Sequence, residues 1–259
     1  LPQIIGSPVS KSRTKGEKFF TSLGVGVVLS DSWEEAELAK LSCNTYRDYN
    51  FSFANSIIDI ADSLGIDGNK VLKVSSQDYK RMPDILPGPV SGPCLTKDTH
   101  ILEQSLTVKS SGMDLLSLSR FSNDLVCKKI VIQLCNLAIS KKVSFWGTSF
   151  KSNPDTSDTR ESHTLDIIAQ LQSLDFDIEV FDPHIDNEGA KSLGHMIVSK
   201  PSLEMDRVVI FGSWSKWIKV FVDTELSNDS FSGIKKFWCY PIEDSYKFKN
   251  SFRFGQKLT

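Results

Sequence analysis

Val143-Ser144-Phe145-Trp146-Gly147 is a short, mostly apolar run closed by a glycine, and it begins where the character of the chain changes. A run of this length with a turn residue at its end reads as a strand buried on both faces. Downstream lie a loop, a helical segment from Ser162 to Leu174, and a second such run, Ile178-Glu179-Val180-Phe181. After a short turn and helix come Met196-Ile197-Val198, Arg207-Val208-Val209-Ile210-Phe211 and Lys236-Phe237-Trp238-Cys239-Tyr240. Strands that alternate with helices predict a parallel sheet with right-handed crossovers. Ligands of such sheets bind at the carboxyl ends of the strands, which puts the loop after Trp146 on the ligand side.

Upstream of Lys141 the pattern is helical. The strongest segment is Trp33 to Leu64, with Ser32 as its cap, Glu35 three residues on in capping-box position, and Gly65 as its stop. Its apolar residues (Leu38, Leu41, Phe51, Phe53, Ile57, Ile58, Ala61, Leu64) cover more than one face. A helix apolar on two sides is central to its domain and available to a partner subunit. Further helices are expected at 69–79, 96–106 and 115–140, the last joining the two halves. A loop dense in proline and glycine, Pro83 to Pro93, interrupts them. The expected fold class is therefore α/β: an all-helical central domain over residues 1–125, then a Rossmann-like parallel-sheet domain over 126–259.

The chain has 259 residues, is 40% hydrophobic and 24% charged, and carries a net charge of -2. That balance excludes the strongly basic surface of a nucleic-acid binder. No apolar run approaches the roughly 20 residues that span a membrane, and no signal-peptide layout is present, so a cytoplasmic setting is expected. Five cysteines without metal spacing argue against a disulfide framework or zinc site, and most are expected to be buried thiols, Cys43 among them. Leu1-Pro2-Gln3-Ile4-Ile5-Gly6 opens without a methionine and reads equally as the continuation of a longer chain or as a processed start.

Two groups of residues could carry chemistry. Glu37, Lys40 and Asn44 stand at offsets of three and four, on one face of the long helix. A Lys and an Asn on a buried face can polarise a substrate hydroxyl, and a desolvated Lys can move protons; the alternative is a solvated helix face. The second group is Pro87-Gly88-Pro89-Val90-Ser91-Gly92-Pro93-Cys94-Leu95-Thr96-Lys97-Asp98. Cys94 leaves this loop at the start of a helix, where the thiolate is favoured, and Asp98 follows one turn on. Here the alternative is a packed cysteine with a capping carboxylate. His100, His163, His184 and His195 are scattered, and packing is expected for Trp214 and Trp217.

Ala36-Glu37-Leu38-Ala39-Lys40-Leu41 with Asn44, Phe53-Ala54-Asn55, Pro87-Gly88, and Gly92-Pro93-Cys94-Leu95 with Lys97-Asp98 resemble the central domain of the UDP-glucose/GDP-mannose dehydrogenase family. Phe150-Lys151, Asp158-Thr159-Arg160-Glu161-Ser162 and Phe181-Asp182-Pro183 resemble its nucleotide-binding C-terminal domain. The Pro-Gly-Pro start of the cysteine loop is closest to the UDP-N-acetylmannosamine dehydrogenase subgroup. The resemblance implies a nucleotide-sugar 6-dehydrogenase, which oxidises the C6 alcohol of a UDP-sugar to a uronic acid by two hydride transfers to NAD. A cysteine holds the intermediates as thiohemiacetal and thioester. By resemblance Cys94 is the nucleophile, Lys40 and Asn44 stabilise negative charge on the sugar oxygen, and Asp98 assists proton transfer or positions water. Lys151, Arg81 and Glu37 would contact the substrate, Arg81 across a dimer, and Arg160 would close the cofactor side. A homodimer through the long helix is also implied.

The sequence departs from that family in several places. It has no Gly-x-Gly-x-x-Gly turn, so the NAD-binding domain is missing from it; Gly24 and Gly26 follow a helical segment and lead into a strand. The cysteine loop is about one residue short, and Ser91 stands where a glycine is expected, which could narrow the pocket. Ser56 replaces a glutamate, the loop from Lys151 to Asp158 is about two residues longer than usual, and Phe237–Pro241 stands in place of a strand leading to an Asp-x-Arg contact. Two rival expectations follow: an inactive UDP-sugar-binding remnant, or a dimerisation piece with no ligand.

Overall fold

The computed structural model describes residues 2–105, 111–225, 231–241 and 248–256. Leu1 and Leu106, which bound two of the expected segments, lie outside them. A helical region precedes a parallel-sheet domain, as expected.

The sheet domain is built on β3 (Lys142–Trp146), β4 (Asp177–Phe181), β5 (Val208–Phe211), β6 (Lys236–Trp238) and β7 (Ser251–Arg253). Their order is β4-β3-β5-β6-β7 and every pairing is parallel. The side-chain period of two sorts the strands onto two cores. Val143, Phe145, Val208, Ile210 and Phe237 face one side, where α6 (Val126–Leu137) and α7 (His163–Gln172) pack. Trp146, Val209, Phe211 and Trp238 face the other, under α8 (Lys216–Glu225). Burial on both faces is why these runs read as apolar rather than alternating. Lys236 is buried on the second side; its ammonium donates to the carbonyls of Phe231, Ile234 and Lys249, and desolvation pulls its pKa down to about 8. Met196-Ile197-Val198 makes only a single bridge, Ile197 to Val180, and is not a full strand.

In the helical region α2 (Trp33–Leu64) starts and ends as its sequence indicates. Ser32 Oγ accepts from the Glu35 amide at 3.1 Å, and Gly65 takes the left-handed conformation at φ 71°. Glu35 reaches back to Ser30 Oγ and the Asp31 amide, just ahead of the cap. Next come α3 (Gly68–Ser76), α4 (Leu95–Gln104) and α5 (Ser111–Asp124). Two expectations change. The first half is not all-helical: β1 (Gln3–Gly6), α1 (Ser10–Ser22) and β2 (Val27–Ser30) form a parallel two-stranded unit ahead of α2. The helix expected at 115–140 is two helices, α5 and α6, parted at Leu125. α5 packs on α2 and α6 on α7, so each serves a different core and the chain must turn between them.

Among the described residues no helix is long and apolar enough to cross a membrane.

Candidate functional site

The loop ahead of α4 is held from below by α2. Asn55 donates to the Gly88 carbonyl at 3.1 Å and accepts from the Gly88 amide at 2.8 Å, so one buried side chain pairs both groups of a single peptide residue. Asn55 also donates to Asn123, and Asn123 donates to the carbonyl and carboxylate of Asp48. The Asp48 carboxylate further accepts from Arg120 at 2.5 Å and Thr99 at 3.3 Å. Asp48, Asn55, Thr99, Arg120 and Asn123 are all at most 2% exposed. This network ties α2, α4 and α5 together under the loop, and Arg120 also lies 3.5 Å from the Leu95 carbonyl at the start of α4.

From above, the loop is held by the sheet domain. The Gly92 amide donates to the Glu161 carbonyl at 2.9 Å. The Tyr240 hydroxyl donates to the Pro89 carbonyl, and Ser91 Oγ lies 2.5 Å from His163 Nδ1. The two glycines of the loop are required by geometry. Gly88 has φ 146°, and a Cβ there would lie 2.5 Å from the Tyr240 ring; Gly92 has φ 93°, with the Phe150 ring 2.7 Å from such a Cβ. A Gly92→Ala chain is expected to lose on the order of 1–3 kcal/mol from backbone strain, read as a lowered unfolding midpoint in denaturant.

Cys94 is the residue before α4 and its side chain is exposed. One turn on, the Asp98 amide donates to the Cys94 carbonyl at 3.0 Å. The buried Asp98 carboxylate accepts from Asn44 Nδ2 at 2.6 Å and from Lys97 Nζ at 2.5 Å. Asn44 in turn accepts from Lys40 Nζ at 3.5 Å. A polar line Lys40–Asn44–Asp98 therefore runs from α2 to the first turn of α4. Burial pushes the Asp98 carboxyl up, but Lys97, Asn44 and Lys40 outweigh it and leave it below its ordinary value.

Lys40 stands exposed, not desolvated, and Glu37 is exposed one turn before it. Arg81 is exposed in a turn after α3. Lys151 is exposed beyond β3, with its ammonium 5.4 Å from the Phe150 ring centroid. Arg160 is exposed and forked onto Asp158, at 2.6 Å for its shortest contact. Cys43 is exposed rather than buried, as are Cys94 and Cys135; only Cys127 and Cys239 are buried, and desolvation pushes the Cys127 thiol up to about 12. Asp48, Arg120 and Asn123 were not singled out by sequence. The available signal was the polar series Asp48, Ser52 and Asn55 on one face of α2.

The sheet order reverses between β3 and β5, which opens a crevice at the carboxyl ends of those strands. Its walls are close: a Cβ on Gly147 would lie 2.4 Å from Ser213 Oγ, and Ser149 Oγ donates to Ser213 Oγ at 3.1 Å. Asp182 holds the wall by accepting from the amide and hydroxyl of Thr148. Phe150, against Gly92, connects this crevice to the cysteine loop.

A helical region bearing a cysteine loop is thus clasped onto the carboxyl ends of a parallel sheet. Residues 34–125 match the model of the UDP-glucose/GDP-mannose dehydrogenase family central domain, and residues 144–226 match that family's UDP-binding domain. The chain belongs to the UDP-glucose/GDP-mannose dehydrogenase family. Among its relatives is a UDP-N-acetyl-D-mannosamine dehydrogenase of Methanococcus maripaludis, 30% identical over 240 residues, covering 90% of this chain and 51% of that protein. The fold is also that of the UDP-N-acetyl-mannosamine dehydrogenase of Staphylococcus aureus, with a TM-score of 0.75 at 22% identity over 97% of this chain and 59% of that one. A UDP-glucose dehydrogenase from Pyrobaculum islandicum gives a TM-score of 0.75 at 21% identity, over 96% and 57%. The chain spans about half the length of the curated relatives it matches.

Proposed function

We propose that this chain carries the substrate and thiol portion of a nucleotide-sugar 6-dehydrogenase acting on a UDP-sugar. The observation that carries this reading is the line Lys40–Asn44–Asp98, which ends one helical turn from the exposed Cys94. In this reading Cys94 Sγ adds to the carbonyl carbon of a C6 aldehyde. The C–S bond forms, the carbonyl π pair moves onto oxygen, and that oxygen takes a proton as the thiol loses one. Lys40 and Asn44 oppose the negative charge that develops on the oxygen. Asp98, held as a carboxylate by Lys97 and Asn44, accepts a proton or orients water. Lys151, at the mouth of the crevice, takes the nucleotide-sugar, with Glu37 and Arg81 as further substrate contacts and Arg160 on the cofactor side.

The family resemblance implies NAD as the hydride acceptor. The described residues do not form a cradle for it. Gly24 and Gly26 lie on the helix-to-strand side of the β1–α1–β2 unit, and a Cβ at Gly6, on the strand-to-helix side, would already lie 2.1 Å from the Ser32 carbonyl oxygen. No hydride step is assigned to this chain's own residues.

The chain acts as a homodimer in this reading, in the cytoplasm. Tyr46, Phe53 and Ile60 recur every seven residues along α2 and are exposed, a stripe suited to a second copy of the helix. Phe53→Lys is expected to convert a dimer to a monomer in sedimentation velocity.

Calorimetric titration with UDP, GDP and several UDP-sugars tests the reading. Micromolar binding of a UDP-sugar is expected, weakened roughly ten-fold by Lys151→Ala through loss of a charged hydrogen bond. Absence of binding at millimolar nucleotide would remove both this reading and that of an inactive binding remnant, leaving a dimerisation piece. Binding that yields no NADH after addition of a relative's cofactor domain would favour the inactive remnant.

A further inference from the structure

We propose that Ser91 and His163 are positioning residues that set the Cys94 loop on the sheet domain and link it to the crevice between β3 and β5. The two residues lie 72 positions apart and meet twice: the His163 amide donates to Ser91 Oγ at 2.9 Å, and Ser91 Oγ lies 2.5 Å from His163 Nδ1. The opposite ring nitrogen, Nε2, lies 2.9 Å from the Gly212 carbonyl oxygen. A carbonyl can only accept, so Nε2 carries the proton and Nδ1 accepts from the Ser91 hydroxyl. The ring is 1% exposed and Tyr240 closes over it edge-on, with centroids 5.3 Å apart, while its own hydroxyl grips the Pro89 carbonyl.

The clasp sits between two working parts. On one side Ser91 is three residues from Cys94. On the other, Gly212 follows β5 and precedes Ser213, whose hydroxyl meets Ser149 across the crevice. A serine at position 91, where the family resemblance leads one to expect glycine, thus gives the loop a tether that a glycine could not make. Its bearing on catalysis rests on the dehydrogenase reading above; the tether itself does not.

The test reads the thiol, not turnover. The full chain is alkylated with limiting iodoacetamide, and the rates at Cys94 and Cys127 are followed by peptide mass spectrometry. Cys127 is buried and reports global opening. Cys94 is exposed with the tether in place, so the tether acts on the setting of the thiol and not on its access: Ser91→Ala is expected to shift the Cys94 rate roughly five-fold in either direction, the factor that one neutral hydrogen bond is worth, with Cys127 unchanged. His163→Gln, whose amide can accept from Ser91 and donate to Gly212, is expected to stay within about two-fold of the parent. An unchanged rate at Cys94 in Ser91→Ala would overturn the proposal. So would an equal rise at Cys94 and Cys127, which is destabilisation alone, or a Ser91→Ala chain that does not fold, because a positioning contact is dispensable for folding. Loss of UDP-sugar binding with the alkylation pattern intact would count against the dehydrogenase reading and leave the tether standing.

Discussion

An Arg120→Met chain is expected to lose about 3–5 kcal/mol of unfolding free energy, the cost of removing one partner from a buried ion pair. Arg120 is 2% exposed and Asp48 is 0% exposed, so the carboxylate left behind has no water to turn to. Asn123 and Thr99 would still donate to it, but neither brings charge. The change also removes the group beside the Leu95 carbonyl at the base of α4. For a chain of this size the loss corresponds to a fall of roughly 10 °C in Tm. Adding Asp48→Asn to Arg120→Met should recover a large part of it, because a neutral amide keeps an oxygen to accept from Asn123 and turns an NH2 toward the Thr99 hydroxyl, which can accept, without the stranded charge. If the double variant were no more stable than the single one, packing and not charge would be the origin of the loss. Calorimetry of the parent and both variants decides this.

The second large effect is with acid. Burial pulls the pKa of His163 from 6.5 down to about 4, against the bond to the Gly212 carbonyl. The folded chain therefore keeps the ring neutral to about pH 4, whereas an unfolded chain takes up the proton near 6.5. Stability is full above 6.5, falls as the pH drops from there, and the loss is complete below about 4. That interval amounts to about 3 kcal/mol. Asp98, whose carboxyl lies below its ordinary 3.8, gives up its contribution only at still lower pH, so the two losses fall in successive windows. Denaturant unfolding of His163→Gln across pH 7 to 4 checks the assignment: a variant as acid-sensitive as the parent would place the loss elsewhere.

Much of the sheet domain was legible because its strands announce themselves locally. Val143–Trp146 and Val208–Phe211 are apolar on both faces, and both sit between helices. β7 was not read, because Ser251-Phe252-Arg253 is short and only partly buried at the sheet's edge. The break at Leu125 has no glycine or proline to mark it; it follows from two helices packing on separate cores. At the candidate site, the spacing of Lys40 and Asn44 along α2 and of Cys94 and Asp98 along α4 was legible, but the bond from Asn44 to Asp98 that joins them was not. What lay out of reach was everything made by distant partners: Arg120 on Asp48, His163 on Ser91, Tyr240 on Pro89. The exposure of Cys43 was missed because a thiol between apolar turns reads as core, whereas this face of α2 is open.

The contacts that shape the cysteine loop span long stretches of chain: Tyr240 to Pro89 is a separation of 151 residues, and Asn69 meets the Phe254 carbonyl across 185. During synthesis α2 and α4 leave the ribosome well before β6 exists. Their loop must wait, with Cys94 in an unfinished setting, until the far end of the sheet is made and returns to it. Contacts of such range slow folding, and chains are made from the amino terminus onward. The setting of the thiol is therefore completed late, after most of the chain has been made.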